Sequence, residues 1–120
     1  MDSKVCGFTH LINATRYSLQ GLARAWREEQ AFRHEVMVLG VLFLALAVTE
    51  KSPALMLLTL GGWLFVMVIE LLNSAVENAF DLISREQNER IKAGKDMASA
   101  AIFLAIAANV GLWLFVFLIC

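Results

Sequence analysis

The sequence has little of what a soluble domain is built from. Charged residues make up 18% of its 120 positions, and it has a single proline. Soluble domains carry about 25% charged residues. Its two cysteines, Cys6 and Cys120, stand near opposite ends. Neither has metal-ligand spacing or a CxxC partner, which excludes a disulfide scaffold and a thiolate metal centre. There is no excess of positive charge: ten Lys and Arg stand against eleven Asp and Glu, so nothing points to nucleic acid. Residues 1–30 lack an apolar run of signal-peptide length, and the N-terminus is expected to be retained. A P-loop is missing, because Gly94-Lys95-Asp96 lacks the preceding glycine spacing and the Ser/Thr. The protein-kinase signature set is missing too.

What the sequence does have is apolar surface. Hydrophobic residues reach 59%, and the mean hydropathy is +0.67. That is more than the core of a soluble protein of this size can hide. The chain reads as a small, all-α integral membrane protein of one domain, with three apolar stretches at 36–48, 54–69 and 97–120. A span needs about 20 residues. Extension to that length predicts transmembrane helices over about 31–49, 53–84 and 97–119. Ser52-Pro53 is a good helix start, a capping hydroxyl before a proline at the first helical position.

Residues 8–28 predict a further helix. Phe8, Leu11, Ile12, Thr15, Leu19, Leu22 and Trp26 fall within roughly 100° of arc, with Arg16, Arg24 and Arg27 on the other side. Such a helix suits the membrane interface. Glu29 projects to the edge of the apolar stripe, where a carboxylate needs a partner. Nine of the ten basic residues lie before the first apolar stretch or between the second and third; only Lys51 lies between the first and second. The positive-inside rule then puts the N-terminus and the loop between spans two and three in the cytoplasm, with the C-terminus outside. Cys6 and Cys120 would face opposite compartments and could not bridge.

The chemistry concentrates on the second span. Glu70, Asn73, Glu77 and Asp81, at offsets 0, 3, 7 and 11, share one helix face. A carboxylate inside the bilayer costs about 2.5–3.5 kcal/mol on insertion scales. One polar residue would read as a register-fixing hydrogen bond; three acids and an amide on one face read as a functional site. Glu70, the deepest, suits a general base. Glu77, about 10 Å further out, suits Mg²⁺, which prefers oxygen ligands and bound phosphates. Lys95-Asp96 is expected to open the third span, where free N–H groups and the Lys95 charge favour an anion. Gly61-Gly62, Gly40 and Gly111 are expected to allow close helix approach, and Asn109 with Ala101, Ala105 and Ala108 to be packing features. A single subunit would leave the polar stripe facing lipid, so a homo-oligomer is expected. The residues alone fit phosphoryl transfer to or from a lipid.

The motif Glu70-Leu-Leu-Asn73-Ser-Ala-Val-Glu77-x-x-x-Asp81, followed by Lys95-Asp96-Met-Ala-Ser99-Ala-Ala, closely resembles the prokaryotic diacylglycerol kinase family. Gly7-Phe8-Thr9, Tyr17-Ser18, Gly21-Leu22, Ala25-Trp26 and Glu29-x-Ala31-Phe32-Arg33-x-Glu35 resemble its Gram-negative branch. The likeness covers nearly the whole chain. It implies a homotrimer of three-span subunits with active sites shared between neighbours. It also implies Mg·ATP-dependent phosphorylation of diacylglycerol to phosphatidic acid at the bacterial inner membrane. By position, the resemblance makes Glu70 the base and Glu29 and Glu77 the metal ligands. Tyr17, Glu29, Asn73, Glu77, Glu86, Lys95 and Asp96 fall on the nucleotide side. His10 does too, where the Gram-negative enzymes usually have Arg. Ala14, Glu35, Glu70 and Ser99 fall on the lipid side. Leu19 replaces a Trp, and Asn88 a His near the nucleotide. The rival within the fold is an undecaprenol kinase of the Gram-positive branch. From other classes come a small proton-coupled multidrug transporter, which usually has four spans, and a membrane scaffold, which gives no reason for the acidic stripe.

Overall fold

The computed structural model describes residues 7–84, 86 and 88–120. Lys4, Cys6 and Arg85, which entered the charge and cysteine readings above, lie outside the described residues. All regular structure among the described residues is helical: α1 (Gly7–Glu28), α2 (Gln30–Val48), α3 (Pro53–Ile83) and α4 (Glu89–Leu114), the last continuing into a π-helical turn, Phe115–Ile119. Three of these are long and apolar enough to cross a bilayer: α2, α3 and the α4 segment through Ile119. The chain is a membrane protein.

The break between α1 and α2 falls on one residue. Glu29 leaves helical geometry at φ −110, ψ 105. The carbonyls that end α1 have no helical donors left, and Arg33 supplies them, its Nη1 donating to Trp26 O at 2.7 Å and Arg27 O at 3.1 Å. The α2–α3 turn is a Schellman motif: Lys51 N–H donates to Leu46 O and Glu50 N–H to Ala47 O. Glu50 takes the left-handed position at φ 54. The Ser52 hydroxyl then accepts from Leu55 N–H at 3.3 Å, with Pro53 opening α3 as the sequence predicts.

α4 starts at Glu89, not near residue 97. The Asn88 side chain caps it by accepting from Arg90 N–H at 2.8 Å, and Glu89 complements the helix dipole. Apolarity marks where a helix enters lipid, not where it begins. Lys95 and Asp96 therefore stand in the second turn, away from the free N–H groups, and the expected helix-terminus anion site is not built around them.

α3 is the central helix, packed on α2 along one side and on α4 along the other, while α1 touches α2. The core is small: Ala25, Phe32, Leu42, Trp63, Val66 and Met67 form its buried cluster. Outward, Val41, Leu44, Leu57, Phe103, Leu104 and Leu118 are each more than half exposed. Water would penalise a surface like that; hydrocarbon does not. Of the glycines expected at helix contacts, Gly62 is one. A Cβ there would lie 2.7 Å from Asn109 Oδ1, whereas Gly61, Gly40 and Gly111 meet nothing within 4 Å. Asn109 is buried and donates to Ala105 O at 2.9 Å. Ala105 is half-buried, but Ala101 and Ala108 are exposed, so the alanine ridge is only partly used.

Candidate active site

The buried face of α3 reads Thr59, Trp63, Val66, Met67 and Glu70, at offsets 0, 4, 7, 8 and 11. The apolar stripe that packs the helix thus runs straight into the acidic stripe, and Glu70 is its last buried member. Glu70 and Glu35 are each 7% exposed and lie within electrostatic reach of one another. Glu29 and Glu77 lie within reach of Glu70 as well. Carboxylates from the α1–α2 break, from α2 and from the next two turns of α3 therefore all act on Glu70. Glu35 Oε1 is buried and finds no hydrogen-bond partner among the described residues, and neither does Asn73 Oδ1. A buried acceptor without a donor costs roughly 1–3 kcal/mol, so this cluster is held against its own energetics.

Two clefts carry charged side chains, one bordered by Glu29 and one apart from the cluster. One, of about 480 Å³, lies between α1 and α3, with Arg24, Glu28, Glu29, Ser74 and Asn78 on its walls. The Glu29 carboxylate, awkward in the sequence, opens onto this cleft because the chain turns there. The other, also about 480 Å³, lies over the α3–α4 connection and gathers Glu86, Lys92, Lys95 and Asp96. Here Lys95 Nζ bonds Asp81 Oδ1 at 2.7 Å across the two helices, and Lys92 Nζ bonds Asp96 Oδ2 at 2.7 Å. An apolar groove lined by Val36, Leu39, Gly40, Phe43, Leu60 and Leu64 begins one residue after Glu35.

The structure thus brings together Glu29, Glu35, Glu70 and Glu77, and separately Glu86, Lys95 and Asp96. It does not bring Tyr17, His10, Ala14 or Ser99 to either cleft within one chain; all four are exposed. Asn73 is half-buried beside Glu70 on the stripe. Among the described residues no three His, Cys, Asp or Glu side chains converge into a metal cage. Mg²⁺ needs none, because it is usually held by one or two carboxylates together with substrate phosphates. The hard oxygens of Glu29 and Glu77 fit that requirement.

Two features escaped the sequence reading. Gly94 lies against the Phe80 ring so closely that any Cβ would overlap it, which lets α3 and α4 meet where Asp81 and Lys95 pair. A glycine inside a helix costs about 1 kcal/mol relative to alanine and so signals a packing reason. The second is Trp63, whose Nε1–H donates to Glu35 O at 2.7 Å. Its place seven residues before Glu70, on the same face, was the available signal.

The family described as prokaryotic diacylglycerol kinase matches residues 16–117 of this chain. The diacylglycerol kinase of Haemophilus influenzae is 43% identical over 103 residues, covering 86% of this chain and 87% of its own length. That of Escherichia coli K12 is 35% identical over 113 residues, covering 94% and 93%. That of Pseudomonas aeruginosa is 37% identical over 107 residues, covering 89% and 87%. With the family matched across both acidic motifs and relatives aligned over most of their length, this chain belongs to the prokaryotic diacylglycerol kinase family.

Proposed function

We propose that this chain is a membrane-embedded diacylglycerol kinase that transfers the γ-phosphoryl group of ATP to the free hydroxyl of diacylglycerol, releasing phosphatidic acid and ADP. The observation that carries this reading is the buried Glu35–Glu70 pair, with an apolar groove between α2 and α3 whose lining starts at Val36, the next residue. A headgroup hydroxyl can meet a carboxylate there while an acyl chain stays in an apolar environment.

Glu70 accepts the hydroxyl proton as the lipid oxygen bonds to the γ-phosphorus and the bond from phosphorus to the ADP oxygen breaks. Phosphoryl transfer depends mostly on positioning and charge stabilisation, so Glu70 supplies only part of the acceleration. Glu29 and Glu77 would hold Mg²⁺, which when bound offsets phosphate charge. Lys95 provides positive charge in the cleft it shares with Glu86 and Asp96. By the family likeness these three, with Asn73, Tyr17 and His10, face the nucleotide, and Ala14, Glu35 and Ser99 face the lipid. Tyr17, His10, Ala14 and Ser99 are exposed within one chain. That supports an oligomer in which a neighbouring subunit completes each site, and the family likeness makes it a homotrimer. α1 would lie in the membrane interface. The N-terminus and the α3–α4 connection would face the cytoplasm and the C-terminus the periplasm, in the bacterial inner membrane.

The test is lipid-dependent ATP consumption by purified protein in mixed micelles with Mg²⁺. Diacylglycerol should drive turnover and appear as phosphatidic acid. Turnover with undecaprenol alone would reassign the substrate within the family. Consumption that ignores added lipid would exclude a lipid kinase.

A further inference from the structure

Two apolar helices in lipid have little to fix how one is rotated on the other, because lipid-facing and partner-facing side chains are chemically alike. α2 and α3 are such a pair, yet Glu35 of α2 must face Glu70 of α3 and not lipid. Among the described residues one side-chain hydrogen bond joins them: the Trp63 indole N–H donates to the Glu35 carbonyl at 2.7 Å, both groups buried. Helical geometry already gives that carbonyl the Leu39 N–H, so the indole uses its second lone pair.

Trp63 is itself clamped. It is 4% exposed, and its ring packs on Trp113 of α4 with centroids 5.2 Å apart and planes tilted by 52°. One turn before Trp113, Asn109 closes on Gly62 of α3. α4 thus holds Trp63, and Trp63 holds the backbone of α2 at the residue whose carboxylate lies beside Glu70. Trp63 stands about 10 Å along the helix from Glu70, too far to touch reacting groups.

We propose that Trp63 is a positioning residue for the lipid end of the site, its indole N–H fixing the rotation of α2 on α3 that sets Glu35 beside Glu70. This rests on the kinase reading above. If Trp63 only filled space, its shape would matter and its N–H would not.

The test separates the two. Trp63→Phe keeps a ring against Trp113 and removes the donor. In mixed micelles with diacylglycerol and Mg·ATP, kcat should fall about 10-fold, inside the 100-fold that a 1 Å misplacement can cost, while KM for ATP stays within about twofold. Because Trp63 acts through Glu35, Trp63→Phe combined with Glu35→Gln should be no slower than Glu35→Gln alone. A wild-type kcat in Trp63→Phe, or two losses that multiply, would overturn the proposal. If Trp63→Phe does not assemble, replacing Trp63 by its benzothienyl analogue keeps the shape and exchanges only N–H for sulfur, with the same expectations. A third readout needs no activity. The Trp63 indole N–H should exchange slowly with solvent, and fast exchange would overturn the positioning role. Failure of the wild type to phosphorylate any lipid would instead overturn the kinase reading, leaving the exchange result to stand or fall alone.

Discussion

At its C-terminal end α3 carries Asp81, 2.7 Å from the Lys95 ammonium, with both side chains well exposed. Eleven residues earlier the same helix carries Glu70, buried among other carboxylates and near no lysine or arginine ion pair among the described residues. One helix therefore treats acids in two ways. Where water reaches, a carboxylate is paired, and the pair is worth about 0–1 kcal/mol. Where water does not, the acids are crowded and Glu35 keeps a buried oxygen without a hydrogen-bond partner among the described residues. Stability explains the first arrangement and is opposed by the second. Intramembrane acids of that kind mark function by default, and substitutions at the two ends of α3 should separate accordingly.

The largest effect is expected at Glu70. Glu70→Gln keeps the shape and removes the proton acceptor, so kcat should fall by roughly 10²–10⁴-fold, the usual value of general-base help. Lipid KM should change less, because proton removal is needed only in the transition state. Glu77→Gln should also fall by orders of magnitude, and raising Mg²⁺ should recover part of that loss but none of the Glu70→Gln loss. Steady-state kinetics across a Mg²⁺ series reads both. If Glu70→Gln is the variant that Mg²⁺ rescues, Glu70 belongs to the metal site and the comparison between buried and exposed acids loses its chemical meaning.

A smaller effect is expected at the packing that holds the buried end together. Gly62→Ala puts a methyl 2.7 Å from Asn109 Oδ1, and Asn109 can yield only by giving up its bond to Ala105 O. Overpacking of this kind costs about 1–3 kcal/mol. Gly61→Ala, with nothing within 4 Å, should leave the thermal midpoint of a single subunit unchanged. Asn109→Ala combined with Gly62→Ala should recover most of the loss. Melting curves in detergent for the three variants check it, and a destabilised Gly61→Ala would point to a contact made by a neighbouring subunit.

Much of this was legible in the sequence because lipid makes apolarity conspicuous. The three spans, the Ser52-Pro53 start and the acidic stripe on α3 all follow from period and composition. What was not legible has physical causes. The start of α4 was misread because residues 89–96 are polar yet helical, capped by Asn88. Gly62 and Gly61 look alike in sequence, and only the α4 position distinguishes them. The Trp63–Glu35 bond joins a side chain to a backbone carbonyl 28 positions away, and carbonyls carry no sequence signal. Tyr17, His10, Ala14 and Ser99 were placed by family likeness, and one chain alone does not bring them to the clefts.

The smallest effect is expected at the exposed end. A double-mutant cycle on Asp81→Asn and Lys95→Met isolates the pair from whatever else each side chain does. For side chains 47% and 38% exposed, the coupling should be about 0.2–1 kcal/mol. It should shrink as salt rises from 0.05 to 0.5 M, over which the Debye length falls below the scale of the site. Lys95 has a second assignment, however, in the cleft with Glu86 and Asp96. If it also meets nucleotide phosphates, Lys95→Met should raise KM for ATP, whereas Asp81→Asn, which releases the ammonium from its carboxylate, should leave KM unchanged or lower it. Equal KM increases in both variants would mean that the pair as a unit shapes the cleft. A coupling above about 2 kcal/mol would be outside the range of an exposed pair. It would mean that this end of α3 is shielded in the assembled protein, and the contrast with Glu70 would then be one of partners alone and not of solvent.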